Sequence, residues 1–194
     1  MLKFEKIRIG TVTYEAVAVF DVNNDGILDI VSGEYWFQGP EFQKQHKICN
    51  IQRVDDYYDD FSDYPIDVNG DGYLDIVTGG WWGETLRWRE NPKGQPVEWK
   101  THDIGKTGSI ERACFWDIDG DGNVEVVPNC PGKPFLAFKL DRDAGGKGVG
   151  TFKKFVLSDV PQGHGLGFGD ISGSGRGDII SAGGWLEAPA DRWN

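Results

Sequence analysis

Short apolar runs alternate with polar, Gly-rich loops along this chain, and the runs return in one order about every 50 residues. Four acidic loops, beginning at Asp21, Asp67, Asp117 and Asp170, mark the phase. An apolar run leads into each: YEAVAVFDV, YPIDV, ACFWDI and GLGFGDI. A second β-like run leaves each: LDIVSGEYW, LDIVTGGWW, VEVVPNC and GDIISAGGW. In the second repeat a third run follows, ETLRWRENP. Each full repeat closes on FQKQHKICN, VEWKTHDIG or FKKFVLSDV, where lysines and other polar residues alternate as on an exposed edge strand. FEKIRIG, near the N-terminus, reads as one more such outer strand. No segment carries a helical period of 3.6.

Gly and Trp recur at fixed phases within a unit of this length, and a propeller blade of four antiparallel strands has this size. The predicted fold is therefore all-β, an incomplete β-propeller of about four blades. Residues 1–10 form the orphan outer strand, 11–52 the first blade, 53–105 the second and 106–160 the third. Residues 161–194 form a partial fourth blade, read as two strands. The array is an open arc or a fragment. Its unpaired edge predicts edge-to-edge self-association, or further blades of the same type in a longer chain.

Acids occupy alternate positions of the loops. Positions 1, 3, 5 and 9 are Asp21, Asn23, Asp25 and Asp29 in the first loop. They are Asp67, Asn69, Asp71 and Asp75 in the second, and Asp117, Asp119, Asp121 and Glu125 in the third. Hard oxygen donors at this spacing, with Gly at position 6 for a tight turn, suit Ca²⁺. The carbonyl at position 7 (Ile27, Tyr73 or Asn123) is a natural further ligand. An EF-hand loop begins in the same way but needs a bidentate acid at position 12, where this chain has Ser32, Thr78 and Pro128. The fourth loop offers Asp170, Ser172, Ser174 and Asp178. Having lost the charge at position 5, it reads as weak or empty. Turn chemistry alone would account for Asp, Asn and Gly, but not for three converging carboxylates.

The net charge of −11 comes from 31 acids against 20 bases. This acidic balance argues against a nucleic-acid partner, because phosphate binding needs a basic face. Three divalent ions would offset more than half of the excess, so much of the acidity belongs to the loops. Cys49, Cys114 and Cys130 are odd in number and irregularly spaced, which predicts buried free thiols and no disulfide framework. No apolar run approaches the ~20 residues of a membrane span. The opening residues MLKFEKIRIG hold no apolar signal-peptide core.

The loops DVNNDGILDIV, DVNGDGYLDIV and DIDGDGNVEVV resemble those of the FG-GAP and VCBS repeat families, whose best-known arrangement is the calcium-loop propeller of integrin α-subunits. The resemblance covers nearly the whole chain. It implies a propeller with calcium in the turn between adjacent strands, and it implies no single activity. HGLGFGDISGSGRGDIISAGGWLEAP is also similar to a bacterial subgroup of these proteins, and to the propeller of fungal aldos-2-ulose dehydratases. Calcium loops of this kind favour an extracellular or periplasmic setting.

In a propeller the strand entering each loop lines the central channel. Six residues before the loop Asp stand Glu15, Phe61, Glu111 and His164, with Asp63 and Arg112 close by. These are polar lining groups, or else Glu15, Glu111 and His164 form a catalytic or second-metal site on the axis. His46 and His102 fall on outer strands and read as surface residues. DDYYDDFSDY, residues 55–64, reads as a solvated connection between blades, although acids mixed with aromatics also bind sugars. Trp36, Trp81, Trp82 and Trp185 share a phase and read as inter-blade packing or as the rim of a carbohydrate platform. Two function classes follow: a calcium-stabilised binding or scaffold module for a protein or glycan, and a sugar lyase or dehydratase using a channel metal.

Overall fold

The computed structural model describes residues 1–191, and among these no helix forms. The first sheet runs in the order β1 (Ala18–Phe20), β2 (Asp29–Ser32), β3 (Tyr35–Gln38) and β4 (Lys44–Lys47). A small hairpin, β5 (Arg53–Val54) and β6 (Tyr57–Tyr58), leads to the second sheet. That sheet orders β7 (Ser62–Ile66), β8 (Asp75–Gly79), β9 (Thr85–Glu90) and β10 (Lys100–Lys106). The third orders β11 (Arg112–Trp116), β12 (Glu125–Asn129), β13 (Phe135–Arg142) and β14 (Gly148–Ser158). The fourth has β15 (Leu166–Gly169), β16 (Asp178–Ser181) and β17 (Gly184–Leu186). All sheet pairs are antiparallel, and each acidic loop joins the first strand of a sheet to the second. None of the sheets is closed, and the arrangement is that of an incomplete propeller.

Three details differ from the sequence reading. LDIVSGEYW is not one strand but the hairpin of β2 and β3, turning at Gly33 and Glu34. Gly33 has φ 56°, a left-handed conformation that a two-residue turn needs and that Gly adopts at little cost. GDIISAGGW likewise divides, so the fourth sheet has three strands and not two. A two-residue turn is this easily missed because its few small or polar residues, Ser32 to Glu34 or Ser181 to Gly184, pass for one break within a continuing strand. FEKIRIG joins no ladder. Residues 6–13 instead run beside the face of the first sheet that bears Val17, Ile30 and Phe37.

The core lies between neighbouring sheets, because successive side chains of a strand point to opposite faces. Ile76 packs with Phe20, Val22, Val31 and Trp36 of the first sheet. Its neighbour Val77 packs with Ala113, Val126 and Phe138 of the third. Val127 in turn packs with Ile179 of the fourth. β8 and β12 are buried along their whole length, as strands covered on both faces must be. β1, at the end of the array, alternates, with Val19 exposed on its outer face and Val17 exposed just ahead of it. The first strands converge: β1 lies against β7, and β7 against β11. Cys49, Cys114 and Cys130 are buried and free.

Candidate functional site

The four acidic loops are wired alike. The carboxylate at position 1 accepts from the backbone N–H groups of positions 5 and 6: Asp21 from Asp25 and Gly26, Asp67 from Asp71 and Gly72. Asp117 accepts from Asp121 and Gly122, and Asp170 from Ser174 and Gly175. Position 5 accepts from the N–H of position 7 in the first three loops, through Asp25, Asp71 and Asp121. Gly26, Gly72, Gly122 and Gly175 at position 6 all have φ between 77° and 91°, so a side chain there would strain the turn. The loops are thus coiled around their own side-chain oxygens.

Position 9 does a second task. Asp29, Asp75, Glu125 and Asp178 have no exposed surface. One oxygen of each accepts from the N–H at position 2: Val22, Val68, Ile118 and Ile171. The other reaches the chain beyond the third strand, at Gly39, Asn91 and Ala188 for the three aspartates. Truncating such a carboxylate would strand two buried donors, at about 1–3 kcal/mol each. Burial pushes the Asp75 carboxyl up to about 7, against the N–H bonds from Asn91 and Val68. In Asp29 and Asp75 each oxygen keeps a second lone pair for a further donor or an ion, whereas in Asp178 one oxygen accepts from both Ile171 and Ser172.

The third loop differs in its charge partner. Lys139 stands directly across the ladder from Glu125. Its ammonium donates to Asp119, to Asp121 Oδ2 at 2.7 Å and to Glu125 Oε1 at 3.1 Å. Although burial opposes it, these carboxylates hold the ammonium well above the ordinary lysine value. Asp117, Asp119 and Glu125 bring oxygens within 4.8 Å of one another, a separation that a metal ion could bridge. In the fourth loop the hydroxyls of Ser172 and Ser174 bond to each other at 3.0 Å, in place of the carboxylate missing at position 5.

At the opposite ends of the strands the structure joins two of the three axis candidates. His164 Nδ1 lies 3.0 and 3.1 Å from the two oxygens of Glu111. The loop carrying His164 is fixed by Asn129, which donates to Gln162 and Gly163 and accepts from the N–H of Gly165. Glu15 is exposed ahead of β1 and forms no hydrogen bond or ion pair with either among the described residues. Phe61 and Tyr57 flank the ring of Trp82, with centroids 6.0 and 6.1 Å away. Tyr57 and Trp82 are exposed, as is Trp185, whereas Trp36 is buried. His46 and His102 are half-buried and stack on Trp36 and Trp88, with centroids 4.1 and 4.3 Å apart.

Sequence reasoning missed one charged centre. DDYYDDFSDY is only partly a solvated connection: Asp55 and Asp56 are exposed, but Asp59, Asp60 and the Asp63 side chain are buried. Arg89 Nη1 lies 3.2 Å from Asp60 and 3.5 Å from Asp63, and Arg87 lies 2.7 Å from Asp59. Asp60 also accepts from the Thr78 hydroxyl. Burial, and then the Asp60 charge, raise the Asp63 carboxyl well above the usual range. The available signal was the alternation in RWRE, which puts Arg87 and Arg89 on one face of a strand.

Repeated four-stranded antiparallel sheets, each with an acidic loop after its first strand, define a propeller-type β-repeat protein. Residues 67–127, from the second acidic loop into β12, match the FG-GAP-like repeat family, so the chain carries a repeat of that family. No curated protein matches the chain.

Proposed function

We propose that the chain is a calcium-stabilised propeller module that binds a glycan or protein through the face opposite its acidic loops. The observation that carries the calcium reading is the imbalance in the first two loops. Each gathers three carboxylates around one coil. The only ion pair to these carboxylates among the described residues is from Lys93, largely exposed and 3.8 Å from Asp71. Like charges this close repel, and a divalent ion relieves them. Asp21, Asn23, Asp25, Asp29 and the Ile27 carbonyl would hold one ion. Asp67, Asn69, Asp71, Asp75 and the Tyr73 carbonyl would hold a second. When bound, the ion supplies structural cross-linking. The serine pair of the fourth loop supports a loop held without metal.

The exposed rings of Tyr57 and Trp82, with half-buried Phe61 beside them, support the glycan reading, since aromatic faces give broad apolar contact to a sugar ring. Binding to a glycan panel, followed by calorimetry on a hit, tests it. Trp82→Ala is expected to weaken binding about tenfold or more. Equal affinity in parent and variant removes this face from the reading. A sugar lyase or dehydratase is favoured by one observation, the contact of His164 with Glu111, a pairing suited to proton transfer. Mass spectrometry of the recovered glycan separates the two readings: an unchanged sugar supports binding, whereas loss of water supports a dehydratase and cleavage into an unsaturated and a reducing fragment supports a lyase.

Among the described residues β17 pairs only with β16, and its other edge suits a strand from a second copy or from further sheets of the same kind. Sedimentation velocity is expected to show association of this chain that grows with concentration. A monomer at all concentrations would rule out pairing between copies.

A further inference from the structure

Three substitutions distinguish the third loop, and they meet at one point. Position 3 is Asp119 where the first two loops have Asn23 and Asn69. Position 9 is Glu125 where the other loops have Asp29, Asp75 and Asp178. The third change is Lys139. Continuing the pairs Ile30↔Phe37, Ile76↔Arg89 and Ile179↔Leu186 by one residue puts Gln38, Glu90 and Glu187 at the corresponding place in the other sheets. None of these can supply a cation. The longer Glu125 turns its second oxygen to the ammonium, 3.1 Å away, where the three aspartates accept from a backbone N–H. The added Asp119 carboxylate contacts the same ammonium, as does Asp121. Lys139 is mostly covered, its side chain 26% exposed, and Glu125 has no exposure.

We propose that Lys139 is the resident cation of the third loop, holding with its ammonium the oxygens that a divalent ion holds in the first two. The inference rests on the calcium reading for its comparison, but the lysine's own role does not need it. An ion among these oxygens would lie within reach of a positive charge bonded to three of its ligands. The loop therefore takes one cation or the other. The third loop keeps its coil without metal, and the chain binds two calcium ions and not three.

Calorimetric calcium titration of chelator-stripped chain, alongside Lys139→Met and Lys139→Arg, tests this. The parent is expected to bind two ions, Lys139→Met three, and Lys139→Arg two. Thermal unfolding in chelator gives a second readout that needs no calcium. There Lys139→Met is expected to melt roughly 5–10 °C below the parent, and calcium to close most of the gap. Three ions bound by the parent would overturn the proposal, and so would a Lys139→Met variant that melts with the parent in chelator. If the parent binds no ion but Lys139→Met gains one, the calcium reading of the first two loops fails and the role of Lys139 stands. If Lys139→Met folds only with calcium, the proposal is supported. If it does not fold even then while Lys139→Arg does, the need for a positive charge at this position is supported.

Discussion

Excess chelator is expected to lower the thermal midpoint of this protein by roughly 10–20 °C, and calcium to restore it. An ion that binds only the folded state adds about 2.7 kcal/mol at a hundredfold excess over its Kd. Two such sites together move the midpoint of a chain this long by the stated range. The effect is not confined to the loops, because they stitch sheets together. Asn24 in the first loop donates to the Gly72 carbonyl in the second. Asn91, buried between them, donates to the carbonyls of both Val22 and Leu74. The Gly150 N–H in turn bonds to Val68 at the second loop. A loop sprung open by its own charge would therefore loosen two sheets. Differential scanning calorimetry with and without chelator is the measurement, and identical curves would dispose of the calcium reading.

Replacing Arg89 should be the most damaging single change in the second sheet. Arg89→Met removes the only cation paired to Asp60 and Asp63 among the described residues, all three side chains being buried. Breaking a buried pair from one side costs about 3–5 kcal/mol, because the remaining charge is left buried without a counter-ion. The sign of the pH dependence follows from Asp63. Its folded-state value lies well above the ordinary one, so the folded protein holds a proton there that the unfolded chain releases. That stability is full at low pH and is lost as pH rises from about 4 towards the folded value. In the variant Asp60 has no cation either, so the deficit against the parent should widen as pH rises. Urea unfolding at acidic and neutral pH measures both effects. A loss under about 1 kcal/mol at neutral pH would mean that water reaches this centre.

Much of the fold was legible because each repeat writes the same signal. Period-two apolar runs on either side of an acidic loop located the first and second strands, and alternating lysines located β4, β10 and β14. What failed to show was local. The turns at Gly33–Glu34 and Ala182–Gly183 take only two residues each, so two hairpins read as single strands. The regular spacing of the loop acids revealed the coils, but not that the three aspartates at position 9 are committed to backbone N–H groups on both oxygens. That commitment depends on Gly39, Asn91 and Ala188, which the chain brings back from beyond the next strand. Lys139 was equally hidden: its partners are two to three strands' length earlier in sequence, and only the ladder register aligns it with Glu125. The buried Asp60–Asp63–Arg89 centre was obscured because a run of aspartates looks like solvent-facing chain until the arginines that neutralise it are known.

Every apolar cluster described above is shared by two adjoining sheets, and none reaches a third. Cohesion is therefore a series of seams, each depending on its immediate neighbours, as in a linear array. The seam between the second and third sheets is the richest, and the one holding the fourth sheet is the poorest. Such a molecule opens like a zip from its ends. The fourth sheet can detach while the middle two stay locked, so its amides exchange with solvent through partial opening and those of β8 and β12 only when the whole array comes apart.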